Sequence, residues 1–363
     1  MNSQTRNPRP ETRNPISLPS LTLNQLITLL TEAGFERYRA RQVYEWVHSR
    51  GAKRFDDMSN LPGRLRGWLA EHTRLNPLEL VRVSGQAGQT QKALFRLDDG
   101  RLIESVVMRD DENGRVSFCL SSQVGCALAC TFCLTGFGGF QRDLTPGEIV
   151  AQALVMRREL LAPAESLHHI VFMGMGEPML NMDGVIAAVR LLTDPLGFGL
   201  SPRRITVSTA GVVPGIDGFG AANLKVGLAV SLNATTDAAR SSIMPINRRW
   251  PIRELMDALG RYPLEPRRRL TIEYVLLKGI NDTPEDAKRL VDLLGGLRCK
   301  VNLIMFNPCR DLPCQPVQPR TLDAFAQVLS SAHMTVTVRW SKGREIEAAC
   351  GQLAAHALEP ADA

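Results

Sequence analysis

Residues 116–120, Val116-Ser117-Phe118-Cys119-Leu120, form a short apolar run; after Ser121-Ser122-Gln123-Val124-Gly125 comes Cys126-Ala127-Leu128-Ala129-Cys130-Thr131-Phe132-Cys133. The first piece reads as a β-strand and the second as the loop at its C-terminal end. Similar runs rich in Val, Ile and Leu recur at 169–173, 204–207, 226–231, 270–276 and 301–306. Helical segments fill the gaps between them. Thr145-Pro146-Gly147-Glu148 opens one, with Thr as N-cap, Pro at the first helical position and Glu three residues after the cap. Thr283-Pro284 opens another in the same way. Repeated strand–helix units imply a parallel sheet. Six such units are too few to close an eight-stranded barrel. The expected fold class is therefore α/β, a partial (β/α)6 TIM-type barrel whose chemistry sits at the C-terminal ends of its strands. A strand over 335–340 and a helix from Glu345 are expected to end the chain.

Upstream of this core the pattern differs. Leu26, Ile27, Leu29 and Leu30 mark one helix before Gly34, residues 42–47 a second, and residues 61–69 a third. Arg37, Arg39, Arg41, Arg50, Lys53 and Arg54 surround Tyr44 and Trp46. That pattern suits an RNA-binding surface, but composition favours a solvated helix face around a core Trp. Residues 93–97 and 102–107, joined through Asp99-Gly100, read as a β-hairpin. The expected division is a disordered tail over 1–20, a small, mostly helical RNA-binding accessory domain over 21–95, the barrel core over 96–345, and a C-terminal segment over 346–363.

The chain has 363 residues and a net charge of +6, a modest excess that fits an anionic partner such as RNA. No apolar run approaches the length of a membrane helix, and the first twenty residues lack the apolar stretch of a secretory signal. Three of the eight cysteines fall within eight residues and the others are scattered. That distribution fits a reduced protein with a metal or catalytic site rather than a disulfide framework.

Cys126, Cys130 and Cys133 have the C-x3-C-x2-C spacing of iron–sulfur ligands. Three ligands on a four-iron cluster leave one iron open. A zinc site would need a fourth nearby ligand, and none follows at zinc spacing. Gly174-Met175-Gly176-Glu177-Pro178 follows the second strand and, taken bare, is a glycine-rich turn. Ser208, Ser231-Leu232-Asn233 and Asn307 stand at three further strand ends. Singly they are ordinary turn or cap residues; together they put hydroxyl and amide groups around one barrel mouth.

The cysteine spacing, with an aromatic residue before the last Cys, resembles the radical S-adenosylmethionine superfamily. Ser121-Ser122-Gln123-Val124-Gly125-Cys126, the Gly174–Pro178 stretch, Ile205-Thr206-Val207-Ser208-Thr209-Ala210-Gly211 and Ala348-Ala349-Cys350-Gly351-Gln352-Leu353 occur in order. From about residue 21 to 353 the chain resembles the RlmN/Cfr family of RNA methyltransferases, and its RlmN branch most closely. The resemblance implies one [4Fe-4S] cluster on the three cysteines and S-adenosyl-L-methionine on its open iron, used twice per turnover. It implies cofactor contacts at Gly176, Glu177, Ser208, Ser231, Leu232, Asn233 and Asn307. It assigns Cys350 as the thiol that is methylated, Cys119 as the thiol that resolves the protein–RNA adduct through a transient disulfide, and Glu104 as a proton acceptor. Without it, Cys119 reads as a core thiol, Glu104 as a solvent-facing strand residue and Cys350 as a helix-packing thiol.

The implied activity is methylation of adenine carbon 2 in 23S rRNA and tRNA by a cytoplasmic monomer, with flavodoxin or ferredoxin as electron donor. Carbon-8 methylation of the Cfr type is the alternative. An RNA-binding module with a structural cluster and a glycyl-radical activase are more distant ones, and neither needs Cys350. Two positions depart from the family pattern: Asn233 where many relatives have His, and Lys342-Gly343-Arg344-Glu345-Ile346 before Cys350. Cys299, Cys309 and Cys314 match no family motif.

Overall fold

The computed structural model describes residues 15–110, 113–309, 312–340 and 343–354. Ten strands form one sheet: β1 (Leu78–Ser84), β2 (Gln91–Leu97), β3 (Leu102–Asp110), β4 (Arg115–Cys119), β5 (Leu167–Phe172), β6 (Ile205–Thr209), β7 (Gly227–Ser231), β8 (Leu270–Leu276), β9 (Cys299–Met305) and β10 (Val336–Arg339). Their spatial order is the chain order. From β4 to β10 every pairing is parallel; β1 to β4 are joined antiparallel. No pairing joins β1 to β10 among the described residues, so the barrel is open. All six expected barrel strands are present, and the strand expected over 335–340 is β10.

Between the strands run α4 (Pro146–Glu159), α5 (Met182–Thr193), α6 (Val213–Ala221), α7 (Asp237–Ile243), α8 (Ile252–Arg261), α9 (Pro284–Leu294) and α10 (Pro319–Ser331), after α1 (Leu23–Glu32), α2 (Arg37–Tyr44) and α3 (Gly63–His72) near the N-terminus. Both capping boxes read from the sequence form. Glu148 N donates to Thr145 Oγ1 at 3.2 Å and Thr145 N to Glu148 Oε2 at 2.8 Å, while Asp286 N donates to Thr283 Oγ1 at 3.1 Å. β8 is buried at every position, as a parallel strand covered on both faces must be.

Register fixes what faces the barrel interior. Cys119 pairs with Val171, Val171 with Thr206, Ser208 with Ala229, Ser231 with Glu273, and Glu273 with Asn302. Paired residues share a sheet face and so do residues two apart. Cys119, Ser208, Ser231, Glu273 and Asn302 therefore line one face. Val207, Leu228, Val230 and Ile272 point the other way into the apolar layer under the helices.

Three expectations are corrected. Residues 15–20 are not part of a disordered tail. Ile16–Ser17 pairs with Thr73–Arg74, Leu18 is buried, and α4 comes so close that a Cβ on Gly147 would lie 2.1 Å from Ser20 Oγ; residues 1–14 lie outside the described residues. The helix expected from Glu345 is a single 3-10 turn, Arg344–Ile346, because Gly343 and Glu347 take positive φ on either side of it. The expected core Trp is corrected as well: Trp46 is half-buried, and the core aromatic of the basic helix is Tyr44. It is buried, and its hydroxyl donates to Asp194 Oδ2 at 2.8 Å, tying α2 to the loop after α5.

Candidate active site

The three-cysteine loop leaves the short strand Gln123–Gly125 at the C-terminal end of β4. Gly125 has φ +75°, and a Cβ there would fall 1.7 Å from the Gly139 carbonyl oxygen, so only glycine lets the chain turn. Cys126 N then donates to Gly139 O at 2.9 Å, Cys133 N to Cys130 O at 3.1 Å, and Thr131 N to Ile243 O of α7 at 3.0 Å. All three thiols are half-buried. Burial pushes Cys126 up to about 12, with Glu177 and Cys133 adding to the rise. Burial also raises Cys130, reinforced by Cys133 and Cys126. Among the described residues no three His, Cys, Asp or Glu side chains converge as a ready metal-binding group. The donor set is nonetheless that of a cluster: three adjacent, poorly solvated thiols that a cationic metal centre would hold as thiolates.

Beside this loop lies Glu177, which is buried. Its Oε1 accepts from Met179 N at 3.0 Å and its Oε2 from Ala210 N at 2.7 Å. Burial raises its pKa while those two amides pull it back. Gly176 has φ +96°, and a Cβ there would lie 2.5 Å from Gln123 Cβ, so the loop can press onto the cysteine loop only as glycine. Glu177 N donates to Gln123 Oε1 at 2.8 Å, fixing the two loops to each other. Ser208 and Ser231 stand half-buried on the inner face nearby. Leu232 and Asn233 are buried. The Asn233 side chain holds the neighbouring strand instead of opening to the cavity: its Oδ1 accepts from Val275 N at 2.9 Å, and its φ of +56° is one that Asn tolerates.

The C-terminal segment closes over the same mouth. Leu134 N donates to Gly351 O at 2.8 Å and Thr135 Oγ1 to Leu353 O at 2.6 Å, so it rests on the turn just after Cys133. Asn307 Nδ2 donates to Cys350 O at 3.4 Å and Gln352 Nε2 to Pro308 O at 3.3 Å. Cys350 is open to the cavity, yet surrounding protein, with Cys133 and Glu273, pushes its thiol up to about 12. Cys119 is buried and is likewise pushed up to about 12, by burial first and then by Cys350. Two thiols remote in sequence are thus electrostatic neighbours.

Glu104 is buried, not solvent-facing. Lys92 Nζ lies 3.0 Å from its Oε1, and Ala354 N donates to its Oε2 at 3.0 Å. Lys92 Nζ also donates to Glu347 O at 3.2 Å. Glu104 and Lys92 together hold the Cys350 segment from both sides. Sequence reasoning missed Lys92; its only signal was a charge just ahead of the apolar stretch Ala93-Leu94-Phe95. Cys314 Sγ lies 3.9 Å from Thr131 Oγ1, behind the cysteine loop, while Cys299 starts β9 at the far end of the barrel. Lys342 lies outside the described residues.

A profile of the Radical SAM superfamily matches residues 120–294, the span that begins with the cysteine loop and runs through α9. A second, described as the ribosomal RNA large subunit methyltransferase N-terminal domain, matches residues 16–75. A dual-specificity RNA methyltransferase RlmN of Geobacter sulfurreducens is 46% identical over 350 residues, covering 96% of this chain and 95% of that protein. The chain belongs to the RlmN family. An RlmN of Geotalea uraniireducens is 45% identical, covering 93% of this chain and 96% of its own length. A crystal structure of a radical SAM methyltransferase from Sphaerobacter thermophilus superposes with a TM-score of 0.91 at 45% identity, over 94% of this chain and all of that one. As a radical SAM enzyme of the RlmN family, the chain uses S-adenosylmethionine and a [4Fe-4S] cluster. The expected α/β fold, a radical SAM barrel with a helical N-terminal region, holds.

Proposed function

We propose that this RlmN-family enzyme methylates carbon 2 of an adenine in 23S rRNA and of the adenine 3′ of the anticodon in tRNA, through an S-methyl group carried by Cys350. The observation that carries the reading is the docking of the Cys350 segment on the cysteine loop, on Asn307 and on Glu104, over the mouth whose inner face carries Cys119. A generic radical enzyme has no use for two extra thiols there. Cys126, Cys130 and Cys133 would hold the cluster. Glu177 would receive the cofactor's ammonium, with Gly176 beside it, and Ser208, Ser231, Leu232 and Asn307 would line the rest of the cofactor site; Asn233, whose side chain is turned to Val275, would support that lining from behind. When bound, the cluster and S-adenosylmethionine, two molecules per turnover, supply the methyl group and a 5′-deoxyadenosyl radical.

The chain's own residues do the rest. Cys350 accepts the methyl as a thiolate and, after losing a hydrogen atom from it, presents a methylene radical to adenine carbon 2. Glu104 accepts the proton lost from that carbon, and the adduct's unpaired electron would pass to the cluster held by Cys126, Cys130 and Cys133, leaving a closed-shell adduct. Cys119, as a thiolate, attacks the Cys350 sulfur; the sulfur–methylene bond breaks with its electron pair going to the RNA, whose methylene takes up a proton to become methyl, and a Cys119–Cys350 disulfide is left for later two-electron reduction. This route suits an electron-poor carbon that cannot itself attack a sulfonium methyl.

The helical region within 21–95 would grip RNA. Tyr38 is exposed with the Arg39 guanidinium 4.5 Å from its ring centre, and Arg50 stacks on Trp46 at 4.6 Å. No helix among the described residues is long and apolar enough to cross a membrane. The enzyme would act as a cytoplasmic monomer fed by flavodoxin or ferredoxin. The deciding experiment is mass spectrometry of rRNA and tRNA methylated by anaerobically purified protein. Methyl at carbon 2 and a methyl on the Cys350 peptide are expected. Methyl at carbon 8, or an unmodified Cys350 in active protein, refutes the proposal.

A further inference from the structure

Arg240 is the bulkiest side chain fully removed from solvent, with no exposure at all. It stands on α7, the helix whose last residue, Ile243, accepts the Thr131 amide of the cysteine loop. Its guanidinium reaches the ends of two barrel strands. Nη2 donates to Ala210 O at 2.6 Å and Ser231 O at 3.2 Å, and Nε to Leu232 O at 2.9 Å; Nη1 donates to Asn247 Oδ1 at 3.0 Å. Gly211 leaves room for it, since a Cβ there would lie 3.1 Å from Nη2. Ala210 is gripped from both sides: its carbonyl by Arg240 and its amide by Glu177 Oε2 at 2.7 Å.

Every one of these partners is a neutral oxygen. The nearby Asp237 carboxylate is engaged elsewhere, by Asn247 Nδ2 and Ile252 N. A buried guanidinium without a carboxylate on it is costly, and an anion close by would offset that cost. A cluster held by three thiolates is such an anion, and the cysteine loop rests on the same helix. Burial lowers the Arg240 pKa to about 10, with Cys130 and Asp237 acting to raise it, so the group stays charged at neutral pH.

We propose that Arg240 is a positioning residue of the cofactor site: it clamps Ala210, Ser231 and Leu232, thereby aiming Glu177, and sets a buried positive charge behind the cluster loop. It touches neither cofactor nor RNA and acts through the peptide groups that it holds. This rests on the cluster and cofactor reading above.

The test uses full-length, anaerobically reconstituted wild type, Arg240→Gln and Arg240→Lys. Iron content, cluster midpoint potential, S-adenosylmethionine dissociation constant and melting temperature are measured for each. Arg240→Gln is expected to shift the midpoint to more negative potential and to weaken cofactor binding about tenfold, the loss of a charge-assisted positioning contact. Arg240→Lys keeps the charge but not the fork, so its midpoint stays at the wild-type value while cofactor binding weakens. Lower melting temperatures with unchanged midpoint and affinity mean a merely structural role and overturn the inference. If Arg240→Gln does not fold, Arg240→Lys decides, and wild-type affinity in that variant overturns the clamp. Wild type that binds neither iron nor cofactor refutes the cluster reading itself, a separate outcome.

Discussion

Lys92→Met is expected to loosen the segment that carries Cys350 and to destabilise the protein by about 3–5 kcal/mol, the usual cost of removing one partner of a buried ion pair. The Lys92 and Glu104 side chains are only 10% and 4% exposed and sit 3.0 Å apart. Methionine fills the same volume without the charge, so Glu104 keeps only the Ala354 amide among the contacts described above. The Glu347 carbonyl loses its donor as well. The second loss falls on the segment 343–354 itself and the first on the carboxylate that holds Ala354 of that segment, so part of the effect should appear as local opening rather than global unfolding. A shift of about 3 kcal/mol raises an opening equilibrium by about two orders of magnitude. Amide hydrogen exchange of residues 348–354 reads the local part and urea denaturation the global part. The double variant Lys92→Met/Glu104→Gln removes the buried carboxylate's charge together with the lysine's and should recover part of the loss. Wild-type exchange and stability in Lys92→Met, or a double variant no better than the single one, would refute the reasoning.

Cys350→Ala should retain iron and cluster spectra while methyl transfer disappears; methylated RNA from this variant contradicts the carrier role. Cys119→Ala should accumulate RNA covalently attached to protein, seen as a slow band on denaturing gels that nuclease removes. Its absence contradicts the resolving role. His48 is fully buried, and burial, against the pull of Asp194, lowers its pKa to about 4 from an ordinary 6.5. The folded state therefore binds this proton less readily than the unfolded chain. The stability contribution is intact above pH 6.5 and falls as pH drops toward 4, then levels off. His48→Phe, which keeps a ring against Tyr44, should flatten the variant's own stability profile across that window, so that the wild-type-minus-variant difference falls as pH drops from 6.5 toward 4; an unchanged slope in the variant's urea midpoints counts against it.

The barrel was legible because each of its strands is an apolar run bounded by turn residues, and because Thr145 and Thr283 announce their helices. The cysteine loop was legible from spacing alone. The segment around Cys350 was not. Its residues satisfy helical expectation locally, yet Gly343, Glu347 and Gly351 take positive φ and the chain follows an irregular path. On the segment's own side, what holds that path is its backbone: Gly351 O accepts from Leu134 N, Ala354 N donates to the Glu104 carboxylate, and Cys350 O accepts from the Asn307 side chain. Backbone groups leave no trace in residue identity. Glu104 was misjudged for a related reason. Strand alternation assigns it a face but cannot say whether a later segment will cover that face.

That covering has a chemical consequence. Cys119 belongs to the sheet: its register against Val171 puts it on the inner face whatever the C-terminus does. Cys350 belongs to a segment docked on the turn that follows Cys133. A thiol on a rigid strand and a thiol on a docked loop can be neighbours without being permanently bonded, and every cysteine of the chain is free in this structure. A methyl carrier has to face first a cofactor, then a base, then a resolving thiol. A loop held by a few hydrogen bonds and one buried ion pair can make such excursions, whereas a strand with a full ladder cannot. The proposed division of labour between the two cysteines would thus match the elements that carry them, a docked loop for Cys350 and a laddered strand for Cys119.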